Sequence, residues 1–122
     1  AKVSSQVGAM LESVVSLEGT ARRAQVPGYR VMGKTGTVHK SQGGGYSEDR
    51  YISLFVGLAP ASSPRLVLAV VVDEPKKDGH YGGAVAAPVF SRVMGGALRL
   101  MNIPPDRPET FRALSELQGE AA

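Results

Sequence analysis

The 122-residue sequence contains no cysteine. No disulfide can brace its fold and no thiolate can hold a metal, although this excludes no cellular compartment. Aromatic residues make up only 6%, and Lys and Arg stand singly or in pairs with no aromatic-interleaved basic stripe. With a net charge of only +3, a nucleic-acid surface is not expected. No apolar run reaches the roughly 18 residues that a membrane span needs. The opening "AKVSSQVGAM" lacks the apolar centre of a signal peptide and reads as the side of a helix. A mature chain and a piece of a longer protein would both begin this way. His39 and His80 are isolated, so neither a metal site nor a cofactor is expected.

What is present supports one α/β domain at most. The hydrophobic fraction of 43% is enough for a core. Val3, Val7, Met10, Leu11, Val14 and Val15 recur at helical spacing and predict a helix over 2–17, stopped at Gly19. A short helix over 20–25 is closed by Pro27, because the residue before a proline is biased away from helix. Strands are expected over 29–38, 50–58 and 65–73, with "QGGGYSED" as a mobile turn between the first two. Short connections favour antiparallel neighbours. The third strand is almost wholly apolar and is expected to be central and buried on both faces. A helix over 85–101 follows, beginning close to Pro88, since proline is tolerated only near a helix start. Val85, Val89, Val93 and Ala97 lie along one row and Phe90, Met94, Leu98 and Met101 along the adjoining one, and the Met and Phe positions are taken as core. Residues 1–108 form the folded part and 109–122 a flexible tail. Three strands need cover on two faces, and one helix pair covers one. Part of the core is therefore expected from chain outside these residues.

The stretch "GYRVMGKTGTVHK" matches the phosphate-loop pattern, with Gly28, Gly33, Lys34 and Thr35 in register. "LVLAVVVD" resembles the strand whose closing Asp holds magnesium. A phosphate loop, however, needs a strand before its first glycine and a helix starting at Gly-Lys-Thr. Here a helix and Pro27 come before, and "TGTV" running into "SQGGG" is a poor first helical turn. A nucleotide hydrolase is a distant alternative.

On a strand, alternation puts Lys34 on one side and Thr35 and Thr37 on the other. A ligand that touches all three must lie along the strand edge, which Gly36 leaves open. A free edge accepts an extended peptide as an added strand. An ammonium and two hydroxyls suit a carboxylate. The residues thus describe a binder for a peptide ending in a carboxylate, although a three-residue motif on a surface strand is by itself ordinary.

The neighbouring residues sharpen this reading. "VPGYRVMGKTGT", "YISLFVGLAP", "LVLAVVVDEP" and "YGGAVAAPVFSRVM" together resemble the C-terminal part of a class B penicillin-binding protein, above all the division-type peptidoglycan D,D-transpeptidases. The resemblance runs from Ala1 to about Pro108. It implies an antiparallel sheet flanked by helices, as in serine β-lactamases. It also implies a serine acyl-enzyme that cross-links stem peptides and is acylated by β-lactams. Carried onto this chain, Lys34 supplies positive potential to the ligand carboxylate and to a relay serine, and Thr35 and Thr37 bind that carboxylate. The Thr37 amide forms half of an oxyanion hole, and Gly36 keeps the approach clear. The family places aromatics before Gly82-Gly83, so Tyr81 is a wall for an acyl side chain or plain loop packing. His39 stands where the family has small or basic residues. It is a carboxylate contact when charged, or a solvated strand-end residue. Asp73 and Glu74 read as solvated strand-end charges.

Two of the family's three motifs are missing. The chain has no S-x-x-K, the nearest being Ser62-Ser63-Pro64-Arg65, and no S-x-N. The nucleophile, its base and the relay serine are expected on an upstream segment, and this chain alone is expected to be inactive. The resemblance further implies the periplasmic face of the bacterial inner membrane, an anchor outside this chain, and division-machinery partners. A β-lactam sensor or a β-lactamase of the same fold is the alternative.

Overall fold

The computed structural model describes residues 1–76, 79 and 81–111. Helix α1 (Lys2–Val15) leads through a short 3₁₀ turn (Arg22–Ala24) into strand β1 (Met32–Gln42). Strands β2 (Gly45–Ala59) and β3 (Leu66–Asp73) follow, then helix α2 (Gly82–Leu100). The strands form one antiparallel sheet in the order β1-β2-β3. Thr35 lies opposite Phe55 and Thr37 opposite Ser53, while Phe55 is opposite Val70 on the other side. One sheet face thus carries Thr35, Thr37, Phe55 and Val70; Lys34, Gly36, Val56 and Val71 share the other.

Helix α2 packs on the first face. Phe90 meets Phe55 edge-on, with ring centroids 4.7 Å apart, and both are fully buried. Gly57 makes this approach possible, because a Cβ there would lie 2.6 Å from the Phe90 ring. Met94, Leu98, Ala86 and Ala87 complete the buried side of α2.

The structure corrects several expectations. Among the described residues β3 is an edge strand: it pairs with β2 alone, and its burial alternates along the strand. Val67 is 72% exposed and Val71 64%, because no described residue covers that face at β3. The hydrophobic run was right for a strand but carried no information about its neighbours. The expected mobile turn is short. Gly43 and Gly44, with φ of 50° and 89°, form a two-residue hairpin turn, and β2 begins at Gly45. α2 starts at Gly82, well before Pro88. Proline cannot donate to the carbonyl four residues earlier, that of Ala84, and the Arg23 guanidinium approaches that oxygen at 3.5 Å instead. The row of Val89 and Val93 faces outward, and Met101 is half-exposed. On α1, Val3, Val7 and Met10 are exposed and only Val15 is buried.

Polar clasps hold the two ends of the sheet. The Arg30 guanidinium donates to both oxygens of Glu12 at 2.7 and 2.8 Å, tying α1 to the entry of β1. Asp106 accepts from the backbone amides of Arg30 and Ser62, and the Tyr29 hydroxyl donates to the Ile103 carbonyl. At the other end, Glu74 accepts from Lys40 of β1 and Arg50 of β2 at 3.0 and 2.8 Å, and Lys40 also reaches Asp73. Glu74 is therefore a clasp across three strands and not the solvated charge expected from sequence. Of the expected tail, residues 109–111 begin a helical turn. There the Thr110 hydroxyl accepts from the Gly28 amide. Residues 112–122 lie outside the described residues.

Candidate functional site

The segment that matched a phosphate loop folds as a turn and a strand. Gly28 has φ of 86°, Tyr29 forms an isolated bridge with Val26, and Met32 to Thr35 lie within β1. No helix starts at Lys34, so the geometry that holds phosphates on free helix amides is not built here.

Thr35 and Thr37 project from β1 into an open cavity of about 440 Å³. Its other walls are Gly19, Thr20, Arg22 and Arg23 on one side and Tyr81 to Ala84, the start of α2, on the other. Two glycines bring that helix start close. A Cβ on Gly82 would fall against the carbonyl of Leu54 and lie 2.9 Å from that of Gly36. A Cβ on Gly83 would collide with the carbonyl of Thr20. The Gly82 amide donates to Thr37 Oγ1 at 3.2 Å. With its oxygen accepting there, the Thr37 hydroxyl can direct its proton toward another acceptor.

Lys34 leaves the opposite side of the strand, as the alternation requires. Its ammonium curls round the edge to donate to the Thr35 carbonyl at 3.1 Å and stands 3.5 Å from Thr35 Oγ1. The ammonium and the Thr35 hydroxyl thus meet along the strand edge. Gly36 serves packing as well as access, since a Cβ there would lie 2.8 Å from the Leu54 side chain. Tyr81 lies beside the two threonines, two-thirds exposed, as the residue preceding α2. His39 does not line the cavity; its ring packs against Tyr51 at 4.6 Å. His80 lies outside the described residues.

Sequence reasoning missed Arg22, Arg23, Gly82 and Gly83. The available signals were two adjacent arginines shortly before the motif strand and a glycine pair after the third strand.

A model of the penicillin-binding protein transpeptidase domain matches residues 1–95. The chain is 48% identical over 117 residues to the probable peptidoglycan D,D-transpeptidase PbpC of Pseudomonas aeruginosa, covering 96% of this chain and 21% of that protein. It is also 48% identical over 97 residues to the peptidoglycan D,D-transpeptidase FtsI of Escherichia coli, covering 80% of this chain and 16% of the relative. Among solved structures, the transpeptidase domain of Burkholderia pseudomallei penicillin-binding protein 3 superposes with a TM-score of 0.76 at 55% identity. That superposition covers 84% of this chain and 31% of the solved one. The chain therefore spans about a fifth of the length of the curated relatives it matches. This coverage and these identities place it, by descent, in the penicillin-binding protein transpeptidase domain family.

Proposed function

We propose that this chain is the C-terminal part of a peptidoglycan D,D-transpeptidase and supplies the carboxylate-binding strand of its active site. The observation that carries this reading is the Lys34 ammonium standing beside the Thr35 hydroxyl, with Thr35 and Thr37 both lining an open cavity. Relatives named as D,D-transpeptidases support it.

In this reading the terminal carboxylate of a stem peptide accepts hydrogen bonds from the hydroxyls of Thr35 and Thr37, within the positive field of Lys34. Gly36 leaves the edge open, and the Thr37 amide is one donor of the oxyanion hole. Tyr81, just before α2, borders the ligand from the other wall of the cavity, while His39, outside the cavity, would meet only a ligand that extends further along β1. The serine comes from a segment carrying the S-x-x-K and S-x-N motifs, which this sequence lacks. Its oxygen attacks the penultimate D-Ala carbonyl, and the C–N bond to the last D-Ala breaks as that amine takes a proton. An amine of a neighbouring stem peptide then attacks the ester, forming the cross-link and restoring the serine. A β-lactam meets the same serine and stays attached after its ring C–N bond opens.

The uncovered sheet face, with Val56, Val67 and Val71, supports a second part of the proposal: the rest of the transpeptidase domain packs there and along the outer edge of β3. Residues 1–108 belong to that domain. Among the described residues no helix is long and apolar enough to cross a membrane. Attachment to the inner membrane, a periplasmic site of action and contact with division partners belong to the same reading and rest on the family resemblance. Fluorescent-penicillin labelling tests it. A protein containing this chain and its upstream segment should label on the upstream segment, and the chain alone should not. Failure of the joined protein to label would refute the reading.

A further inference from the structure

The cavity beside Thr35 and Thr37 has a cationic wall that the motif does not require. Arg22 and Arg23 line it, and among the described residues no carboxylate does. Elsewhere Arg30, Lys40, Arg50 and Arg107 each have an acidic partner. Among the described residues the Arg22 guanidinium has no hydrogen-bonding partner, and that of Arg23 gives only Nη1 to the Ala84 carbonyl, at 3.5 Å. Most of two guanidinium forks therefore remains for a ligand. The space is also larger than one carboxylate needs: about 440 Å³ is the size of a small-ligand pocket. The close docking of Gly82 and Gly83 fixes its width, because the backbone of Thr20 touches one wall and that of Gly36 the other.

We propose that Arg22 and Arg23 form a second anion subsite of the same cavity, which takes a carboxylate borne by the stem peptide upstream of its terminal dipeptide. This rests on the transpeptidase reading above. Thr35, Thr37 and Lys34 hold the terminal carboxylate, and the arginines select ligands that carry another acidic group. Guanidinium suits this task because its planar fork pairs both oxygens of a carboxylate at once. Arg22 and Arg23 are thus specificity-determining residues, with no part in bond making.

The test uses the protein containing this chain and its upstream segment. Its probes are benzylpenicillin and carboxybenzylpenicillin, which differ by one carboxylate on the acyl side chain. The second-order acylation rate is measured for each with the native protein, R22Q, R22K and the double variant R22Q/R23Q. The double variant should lower the rate for the dicarboxylate about tenfold and change the monocarboxylate less than twofold, the scale of one charge-assisted hydrogen bond. R22K should retain more of the preference than R22Q. The Arg22 side chain has no hydrogen bond among the described residues, so R22Q keeps the question open to test even if loss of Arg23 disturbs α2. An equal fall for both penicillins would overturn the proposal, by assigning the arginines to folding, to the first carboxylate or to an acidic segment of the remaining protein. An unchanged ratio would overturn it too. If neither penicillin labels the native protein, the transpeptidase reading itself fails and this inference with it.

Discussion

Replacing Gly82 with alanine sets two effects of one methyl group against each other. In the helix, alanine is favoured over glycine by about 0.5–1 kcal/mol through lost backbone entropy. Against the sheet, the new Cβ falls on the Leu54 carbonyl and stands 2.9 Å from that of Gly36. Ordinary carbon contact begins near 3.5 Å, so the start of α2 must retreat by more than half an ångström. The obstructing atoms are strand backbone and cannot turn aside as a side chain would. Overpacking of this kind costs about 1–3 kcal/mol, so a net loss of stability is expected. The retreat also stretches the 3.2 Å hydrogen bond from Gly82 to Thr37 and moves one wall of the cavity. Displacements approaching 1 Å at a reacting geometry cost up to about a hundredfold in rate, so penicillin acylation should slow at least tenfold. Gly96→Ala is the matched control, since a Cβ there meets nothing within 4 Å. It should stabilise by about 0.4–1 kcal/mol and leave acylation unchanged. Urea midpoints and acylation rates for the pair decide the matter. Equal stabilisation by both, with native acylation in G82A, would refute the close docking of α2 on β1.

Phe90→Ala removes a fully buried ring set edge-on to Phe55 and should cost about 3–5 kcal/mol in a urea titration. Thr35→Val keeps the shape but loses a hydroxyl, and should slow β-lactam acylation by an amount equivalent to about 1.5–3 kcal/mol; an unchanged rate would count against its carboxylate contact. Stability should fall on acidification. The Arg30 hydrogen bonds hold Glu12 below the usual carboxylate range, as those from Lys40 and then Arg50 do Glu74. Burial raises Asp106, but hydrogen bonds from the Arg30 amide and from Ser62 outweigh it, and the net shift is downward. Lowered folded values mean that the charged forms favour the fold above the unfolded values of about 3.9–4.3, and that this contribution is lost as pH falls through the folded ones. A urea midpoint that stayed flat from pH 6 to below about 3 would exclude these clasps as contributors.

The strands and the site strand were legible because they depend on local alternation. Lys34 and the two threonines had to leave opposite sides of β1, whatever the rest of the chain did. The antiparallel order followed from connections too short for any crossover. What sequence did not reveal depends on partners distant in the chain. Leu66 to Val72 is equally apolar at every position, so nothing in it distinguishes a central strand from one with Val67 and Val71 exposed. Glu74 became a clasp only because the sheet brought Lys40 and Arg50 to it. Pro88 signalled a helix start by a rule that holds when the orphaned carbonyl has no other donor, and Arg23, far away in sequence, approaches it.

The same distinction separates the two readings of "GYRVMGKTGT". As a string it fits a phosphate loop as well as it fits a carboxylate-binding strand. The difference lies in where the backbone donors point. A phosphate loop gathers its amides at a helix N-terminus, whereas here the residues run along an extended strand. The nearby helix start belongs to α2, whose first amide is already engaged with Thr37. What remains at the edge is an ammonium, two hydroxyls and an open strand, groups matched to a planar carboxylate on an extended peptide. The direction of the chain at Lys34, which the motif letters alone do not encode, therefore argues against a phosphate loop and supports the proposed carboxylate-binding strand.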